Sequence, residues 1–321
     1  MTTAFPTVNF PAKPFYDVIV TGSYFCDLVF TGLPTLPQLG TEIYAPQLDL
    51  VIGGGAANTA IALRRLAVNV GLATELGDDL FSRFAADQLR VEGIDATLIN
   101  QSASALRRLT VSLSYPQDRA FVTYVDPAPT SAERAARALA SADCRHIHFP
   151  GLSITPTMLD ILTDCRTRGI NVSMDCQHRA ETLQSPLVCE ILSQLAIFMP
   201  NETEALRLTG ADSVETAIRT LAEITPCVVI KRGAAGAIAR WRGIEGAGTC
   251  EIPAIPSVVI DTTGAGDIFN AGFLAAYLER QPIAECVRWG NYCGALSVRG
   301  VGGTQTAPTR SQLTAWLTET V

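Results

Sequence analysis

Short apolar runs alternate with amphipathic helical patterns along most of this chain, and that alternation narrows the fold more than any other feature. The runs are YDVIVTG (16–22), NVGLAT (69–74), HIHFPG (146–151), INVSMD (170–175), AIFMPN (196–201) and CVVIKRG (227–233). Between them lie AANTAIALRRLA (56–67), LFSRFAADQLRVEG (80–93), TPTMLDILTDCRTRG (155–169) and SVETAIRTLAEI (213–224), with Gly or a polar turn at their ends. Strands joined through helices predict βαβ units and an α/β fold: a central, mostly parallel sheet flanked by helices.

Two regions break the pattern. CDLVF with EIYAPQLDLV (26–30 and 42–51) and LRRLTVSLSYPQ with RAFVTYV (106–117 and 119–125) have no helix between their members. Pro116-Gln117-Asp118 reads as the turn of a β-hairpin. These segments predict a small β-sheet lid, inserted at about 26–52 and 106–126 into a single domain of residues 1–321. Phe121 and Tyr124 on the hairpin read as packing aromatics before they read as ligand contacts.

Composition excludes some partners. Hydrophobic residues make up 48% of the 321 and charged residues 17%, enough apolar material for one large core. A net charge of −7 argues against nucleic acid or an anionic membrane surface. No apolar run reaches the ~18 residues of a membrane span, and the start, MTTAFPTVNFPAKPFYD, lacks the basic-then-apolar order of a signal peptide. Nine cysteines without a CxxC pair fit free thiols of a reducing compartment. A soluble cytoplasmic protein is the expectation. Lys13 and Lys231 are the only lysines among 24 basic residues, which singles out Lys231 mildly.

The chemistry gathers where strands end. In SVVIDTTGAGDIFNAGF (257–273) a predicted strand delivers the chain to Gly264-Ala265-Gly266, and a helix is expected from about Asp267. The first amides of a helix lack internal partners and lie at the positive end of its dipole, so they can bind an anion. Glycine at 264 and 266 lets phosphate oxygens approach the backbone, and Asp267 could take a proton from an attacking hydroxyl. The plainer alternative is a Gly-rich turn with Asp267 as a stabilising first-turn carboxylate. VIGGGAANTAIALRRL (51–66) is a second Gly-rich helix start. It is neither a Walker A loop nor GxGxxG, but the amides of Gly53, Gly54 and Gly55 could hold a polar ligand, with Asn58 supplying donor and acceptor. Asp27, after VTGSYFC, stands where a carboxylate could accept hydrogen bonds from hydroxyls. In FMPNETEALRLTG, Asn201 closes a strand while Glu202 and Glu204 open a helix; Asn and Glu at this spacing could organise Mg²⁺ through water. Lys231 and Gly233 follow at the next strand end.

Four motifs in this order, GGGAAN, PNETE, IKRGAAGA and DTTGAGDIFNAGF, resemble the PfkB (ribokinase-like) carbohydrate kinase family over roughly residues 16–310. The resemblance implies transfer of the ATP γ-phosphate to an alcohol, with a ribokinase-like sheet and lid. It assigns Asp267 as catalytic base and the amides of Gly264, Ala265 and Gly266 as the anion hole. It places Asp27, Gly54, Gly55 and Asn58 at the acceptor, and Asn201 and Glu204 at Mg²⁺ and the phosphates. Lys231, Gly233 and Asn291 fall at nucleotide-contacting positions, while Asp261 and the Thr263 carbonyl match a monovalent-cation (K⁺) site used by some members. Members often dimerise through their lids, and exposed lid strands would gain from pairing.

Where several members carry Lys, this chain has Gly55, which disfavours a phosphorylated acceptor and is more similar to fructokinase-like and keto-deoxy-gluconate-kinase-like members. Arg107, Arg108 and Arg119 on the lid strands either meet an acidic group or are solvated edge residues. Asp175-Cys176-Gln177 replaces a DPN-like turn, so Asp175 receives no assigned role. His146 and His148 share one strand face, but without a CxxC pair zinc is the weaker reading. The leading expectation is a sugar or sugar-acid kinase; the rivals are a nucleoside kinase of the same fold and a catalytically silent ligand-binding protein.

Overall fold

The computed structural model of the chain describes residues 13–115, 119–177, 180–243 and 246–319. Strand β1 (Phe15–Thr21) runs into β2 (Phe25–Thr31) and β3 (Gln47–Gly53), and helix α1 (Gly55–Arg65) follows. β4 (Val70–Leu76), α2 (Leu80–Val91) and the short β5 (Ile99–Gln101) lead to β6 (Arg108–Ser114) and β7 (Arg119–Val125). The alternation continues through α3 (Ser131–Ser141), β8 (Asp143–Phe149), α4 (Pro156–Thr167), β9 (Asn171–Met174), α5 (Pro186–Ser193) and β10 (Ile197–Phe198). Helices α6 (Glu202–Thr209) and α7 (Val214–Ile224) precede β11 (Cys227–Lys231), β12 (Ala237–Gly243) and β13 (Gly246–Ile252). Helices α8 (Ala265–Leu278), α9 (Ile283–Ser297) and α10 (Arg310–Glu319) complete the order.

Nine strands form one sheet in the order β13-β12-β11-β10-β9-β8-β1-β4-β5, parallel from β11 to β5. Each parallel step needs a crossover, and the helices that make it cover both faces. Two apolar clusters fill the layers: one holds Val18, Val20, Leu72 and Phe273, the other Ile19, Ile147, Phe149 and Val228. Adjacent residues of β1 thus point into opposite clusters, as a sheet buried on both faces requires. Separately, β3-β2-β6-β7 form a four-stranded sheet. Asp27 on β2 pairs with Val51 of β3 on one side and Thr110 of β6 on the other.

Three expectations need correction. The SVVI segment is not a strand: no pairing is recorded between Ile252 and the start of α8. The chain must cross there from the sheet edge to the helix layer, so Val258, Val259 and Ile260 are 78%, 61% and 61% exposed. Helix α8 begins at Ala265, ahead of Asp267. The second lid strand covers Gln47–Gly53 and not the stretch from Glu42. The antiparallel pair β12 and β13, which extends the main sheet beyond β11, was not anticipated; its outer face is open to solvent, so it lacks the continuous apolar signature of the central strands. The expected turn at 116–118 lies outside the described residues, as does His178. Among the described residues no helix is long and apolar enough to cross a membrane.

Candidate active site

Several helix starts in this chain are closed by their own N-cap side chain, whereas the two that begin at glycine are not, and those two meet at the site. At α2, α4 and α7 the N-cap side chains of Asp79, Thr155 and Ser213 accept hydrogen bonds from the first-turn amides. At α1 and α8 the N-caps are Gly54 and Gly264, which have no side chain to do so. Their leading amides are therefore left open to an external acceptor. Gly264 sits at φ +72°, and an added Cβ would lie 2.7 Å from Asn58 Nδ2 and 2.8 Å from the Gly303 Cα. Glycine is required there by both backbone and space.

The two open helix starts converge. An added Cβ at Gly55 would lie 3.1 Å from Asp267 Oδ1, and Asn58 Nδ2, in the first turn of α1, donates to Asp267 Oδ2 at 3.0 Å. Asp267 is half-buried at the floor of a cavity of about 760 Å³. Burial pushes its carboxyl up to about 6; the Asn58 hydrogen bond opposes the shift and the Asp175 charge adds to it.

Beside it stands a polar cluster. Lys231 Nζ, at the end of β11, donates to Asp175 Oδ2 at 2.5 Å and Asn270 Oδ1 at 3.2 Å. Asn270 Nδ2 donates to the same Asp175 oxygen at 2.6 Å. An added Cβ at Gly266 would meet Lys231 Nζ at 3.3 Å, so the ammonium lies against the first turn of α8. Asp175, left without a role by the sequence, is thus central. Asn270 was missed, although it lies three residues after Asp267 and so on the same helix face. Glu204 and Asn201 form a reciprocal capping box at the start of α6, and both line the cavity. Burial raises the Glu204 carboxyl, and the Asp175 charge raises it further. Gly233, Gly264, Ala265, Gly266 and Asn291 also line the cavity. Asn291 Nδ2 donates to the Ile252 and Pro253 carbonyls at 3.0 and 3.1 Å, holding the cavity wall.

Asp27 lies on the lid side. Its Oδ2 occupies the space a Cβ on Gly53 would fill, and burial pushes its carboxyl up to about 6 against a hydrogen bond from Thr110, with the Asp261 charge contributing. Asp261 accepts a hydrogen bond from the Thr263 amide at 2.9 Å and from the Gly302 amide at 2.9 Å. The lid arginines have separate fates. Arg107 pairs with Asp126 at 2.9 Å, Arg108 is buried, and Arg119 reaches Asp261. His146 Nε2 and His148 Nδ1 share Ser173 Oγ at 2.7 and 2.8 Å, and burial pushes both rings down to about 3. They are neutral core groups. Among the described residues no cluster of three or more His, Cys, Asp or Glu could hold a metal ion by itself.

A parallel α/β sheet carrying polar clusters at its strand ends, with a detached four-stranded sheet beside them, defines a ribokinase-like fold. The ribokinase of Arabidopsis thaliana, solved with ribose and ATP, superposes with a TM-score of 0.75 over 96% of this chain and 99% of that one, at 23% identity. Residues 17–310 match the model of the pfkB family carbohydrate kinases, and the chain belongs to that family of phosphotransferases. A ribokinase of Haemophilus influenzae is 27% identical over 311 residues, 93% of this chain and 97% of that protein. A cytidine kinase of Thermococcus kodakarensis is 28% identical over 277 residues, 82% of this chain and 93% of that protein.

Proposed function

We propose that this protein is a cytoplasmic kinase that uses ATP and Mg²⁺ to phosphorylate a hydroxyl of a small sugar or sugar acid. The observation that carries this reading is the Asp267 carboxyl, held by Asn58 where two uncapped helix starts meet. Asp267 takes the hydroxyl proton, and the amides of Gly264, Ala265 and Gly266 receive the charge that develops on the transferred phosphoryl group. Asp27, Gly54, Gly55 and Asn58 orient the acceptor, which spends binding on alignment. Lys231, Gly233 and Asn291 contact the nucleotide.

A metal ion fits the donor set as a nucleotide-borne group. Asp175, Glu204 and Asp267 feel one another's charge with Lys231 as the cation among them, so the pocket favours added positive charge. Glu204 would hold Mg²⁺ through water, and the ion would neutralise charge on the phosphates. A lid above the cavity would exclude water from the transfer. A nucleoside acceptor is the second reading, supported by the name of the cytidine kinase relative.

ADP release measured across ketoses, aldoses, sugar acids, phosphosugars and nucleosides tests the proposal. Turnover of a sugar or sugar acid supports it, selective turnover of a nucleoside favours the second reading, and silence across the panel overturns both. The pH dependence is a further expectation. A base works only when ionised, and both Asp27 and Asp267 are pushed up to about 6. Activity therefore rises with pH through about 6 and levels above it, on a limb steeper than one proton. A kcat/KM for the acceptor that stays flat down to pH ~4.5, below the ordinary range of a perturbed carboxyl, would remove both assignments.

We also propose a homodimer formed through the lids. Leu48 and Leu50 on β3, with Val122 and Val125 on β7, are 54%, 42%, 65% and 45% exposed, and edge strands of this kind gain by pairing. Light scattering is expected to return twice the chain mass; a monomer at working concentration ends this reading.

A further inference from the structure

The lid reaches the loop ahead of α8 through Arg119, the first residue of β7. Its guanidinium lies over the Phe121 ring, with Cζ 5.7 Å from the centroid, and that stacking directs the side chain. Nη1 donates to Asp261 Oδ1 and, at 2.7 Å, to Thr263 Oγ1; Nη2 donates to Thr262 Oγ1. The Asp261 side chain is only 9% exposed. Besides Arg119, its Oδ1 accepts from the Thr263 amide at 2.9 Å and the Thr263 hydroxyl at 2.7 Å, and its Oδ2 accepts from the Gly302 amide at 2.9 Å.

This arrangement disagrees with a resident monovalent cation. The carboxylate assigned to that ion by family resemblance is already neutralised by a guanidinium and engaged by further donors. A second cation beside it would meet like-charge repulsion in a partly buried place, where screening by water is weak. The residues present do not fit both charges at once.

We infer that Arg119 takes the place of the monovalent cation, so that the lid itself supplies the charge that fixes the 261–264 loop. The inference rests on the kinase reading of the site. The loop leads directly into Gly264, whose following amides form the proposed anion hole. The Gly302 amide held by Asp261 belongs to a turn whose next residue, Gly303, lies against Asn58. Arg119 is therefore a positioning residue: it acts through Asp261, and only while the lid rests on the loop. Two properties follow. The enzyme needs no K⁺, and the anion hole is organised by the same movement that covers the acceptor.

The test compares thermal midpoints in KCl and in choline chloride at matched ionic strength, for the wild-type protein, Arg119→Ala and Arg119→Lys. Wild type and Arg119→Lys are expected to melt alike in both salts. Arg119→Ala is expected to gain a K⁺-specific stabilisation of about 1–2 °C over choline, because K⁺ then binds the folded state. In the same variant kcat falls about tenfold in choline, with KM for ATP little changed, as loss of one charge-assisted contact implies. K⁺ or millimolar guanidinium ion restores it. K⁺-specific stabilisation of the wild type would overturn the inference, as would an Arg119→Ala protein that matches wild type in choline. A loss that neither ion repairs would overturn it too, because the vacated position would then not be a cation site. The melts require no catalysis, so silence in the acceptor panel would count against the kinase reading alone.

Discussion

Replacing Asp267 with Asn is expected to cut turnover by about a thousandfold, the worth of a well-placed general base, while making the protein slightly more stable. Asn keeps the shape and can still accept the hydrogen bond from Asn58 Nδ2, so KM values for ATP and acceptor change little. What disappears is the proton acceptor. The stability change has a definite sign. Burial raises the folded Asp267 carboxyl to about 6, above the ~3.9 of a free aspartate. Its favourable contribution is full below the unfolded value and is lost as pH rises through about 6, so at neutral pH the ionised carboxylate opposes folding. Removing it returns about 1 kcal/mol after allowance for its partial exposure, or about 1–2 °C in a chain of this size. Melting curves and ADP release on the same preparation check both halves. Strong turnover by Asp267→Asn would sink the assigned base.

Lys231→Met is expected to do the reverse and damage stability most. Lys231 and Asp175 are 11% and 9% exposed at the side chain and 2.5 Å apart. Methionine fills the space but leaves the Asp175 carboxylate with neutral donors near at hand, the Asn270 side-chain amide and the Cys176 backbone amide, and no cation from Lys231. Breaking one side of a buried pair costs about 3–5 kcal/mol, because the remaining charge is stranded. A lowering of the melting midpoint by roughly 4–8 °C should follow. Asp175→Asn in the same chain should restore most of it, since the stranded charge is then gone. Recovery of stability without recovery of nucleotide binding would separate the two proposed duties of Lys231. KM for ATP is expected to stay raised about tenfold to a hundredfold in the double variant, as loss of a charged contact to phosphate implies. A double variant as unstable as Lys231→Met would contradict the stranded-charge account.

Much of the fold was legible because its signals are local. The apolar runs of β1, β4, β8 and β11 are continuous, as fully buried parallel strands require. The small four-stranded sheet was legible as the two places where helices fail to intervene. The SVVI segment misled because it has the composition of a strand, and composition cannot show that no sheet edge is available to it. β12 and β13 escaped notice because half their residues face solvent. The candidate site divided along similar lines. Glycines 54, 264 and 266 and Asp267 stand out in sequence because helix starts have strict local chemistry. Asp175, Asn270 and Arg119 do not, since each acquires its meaning from a residue far along the chain: 56 positions from Asp175 to Lys231, 142 from Arg119 to Asp261.

The mostly parallel α/β architecture, the strands of the small second sheet and the two glycine-led helix starts are local properties, because burial pattern and backbone freedom are written residue by residue. Packing is what brings those two helix starts to one carboxylate, clasps Asp175 between Lys231 and Asn270, and rests Arg119 of the small sheet on Asp261. The reason is physical: a charge takes its partner and its pKa from whatever packing brings within a few ångströms, and packing is a property of the whole chain.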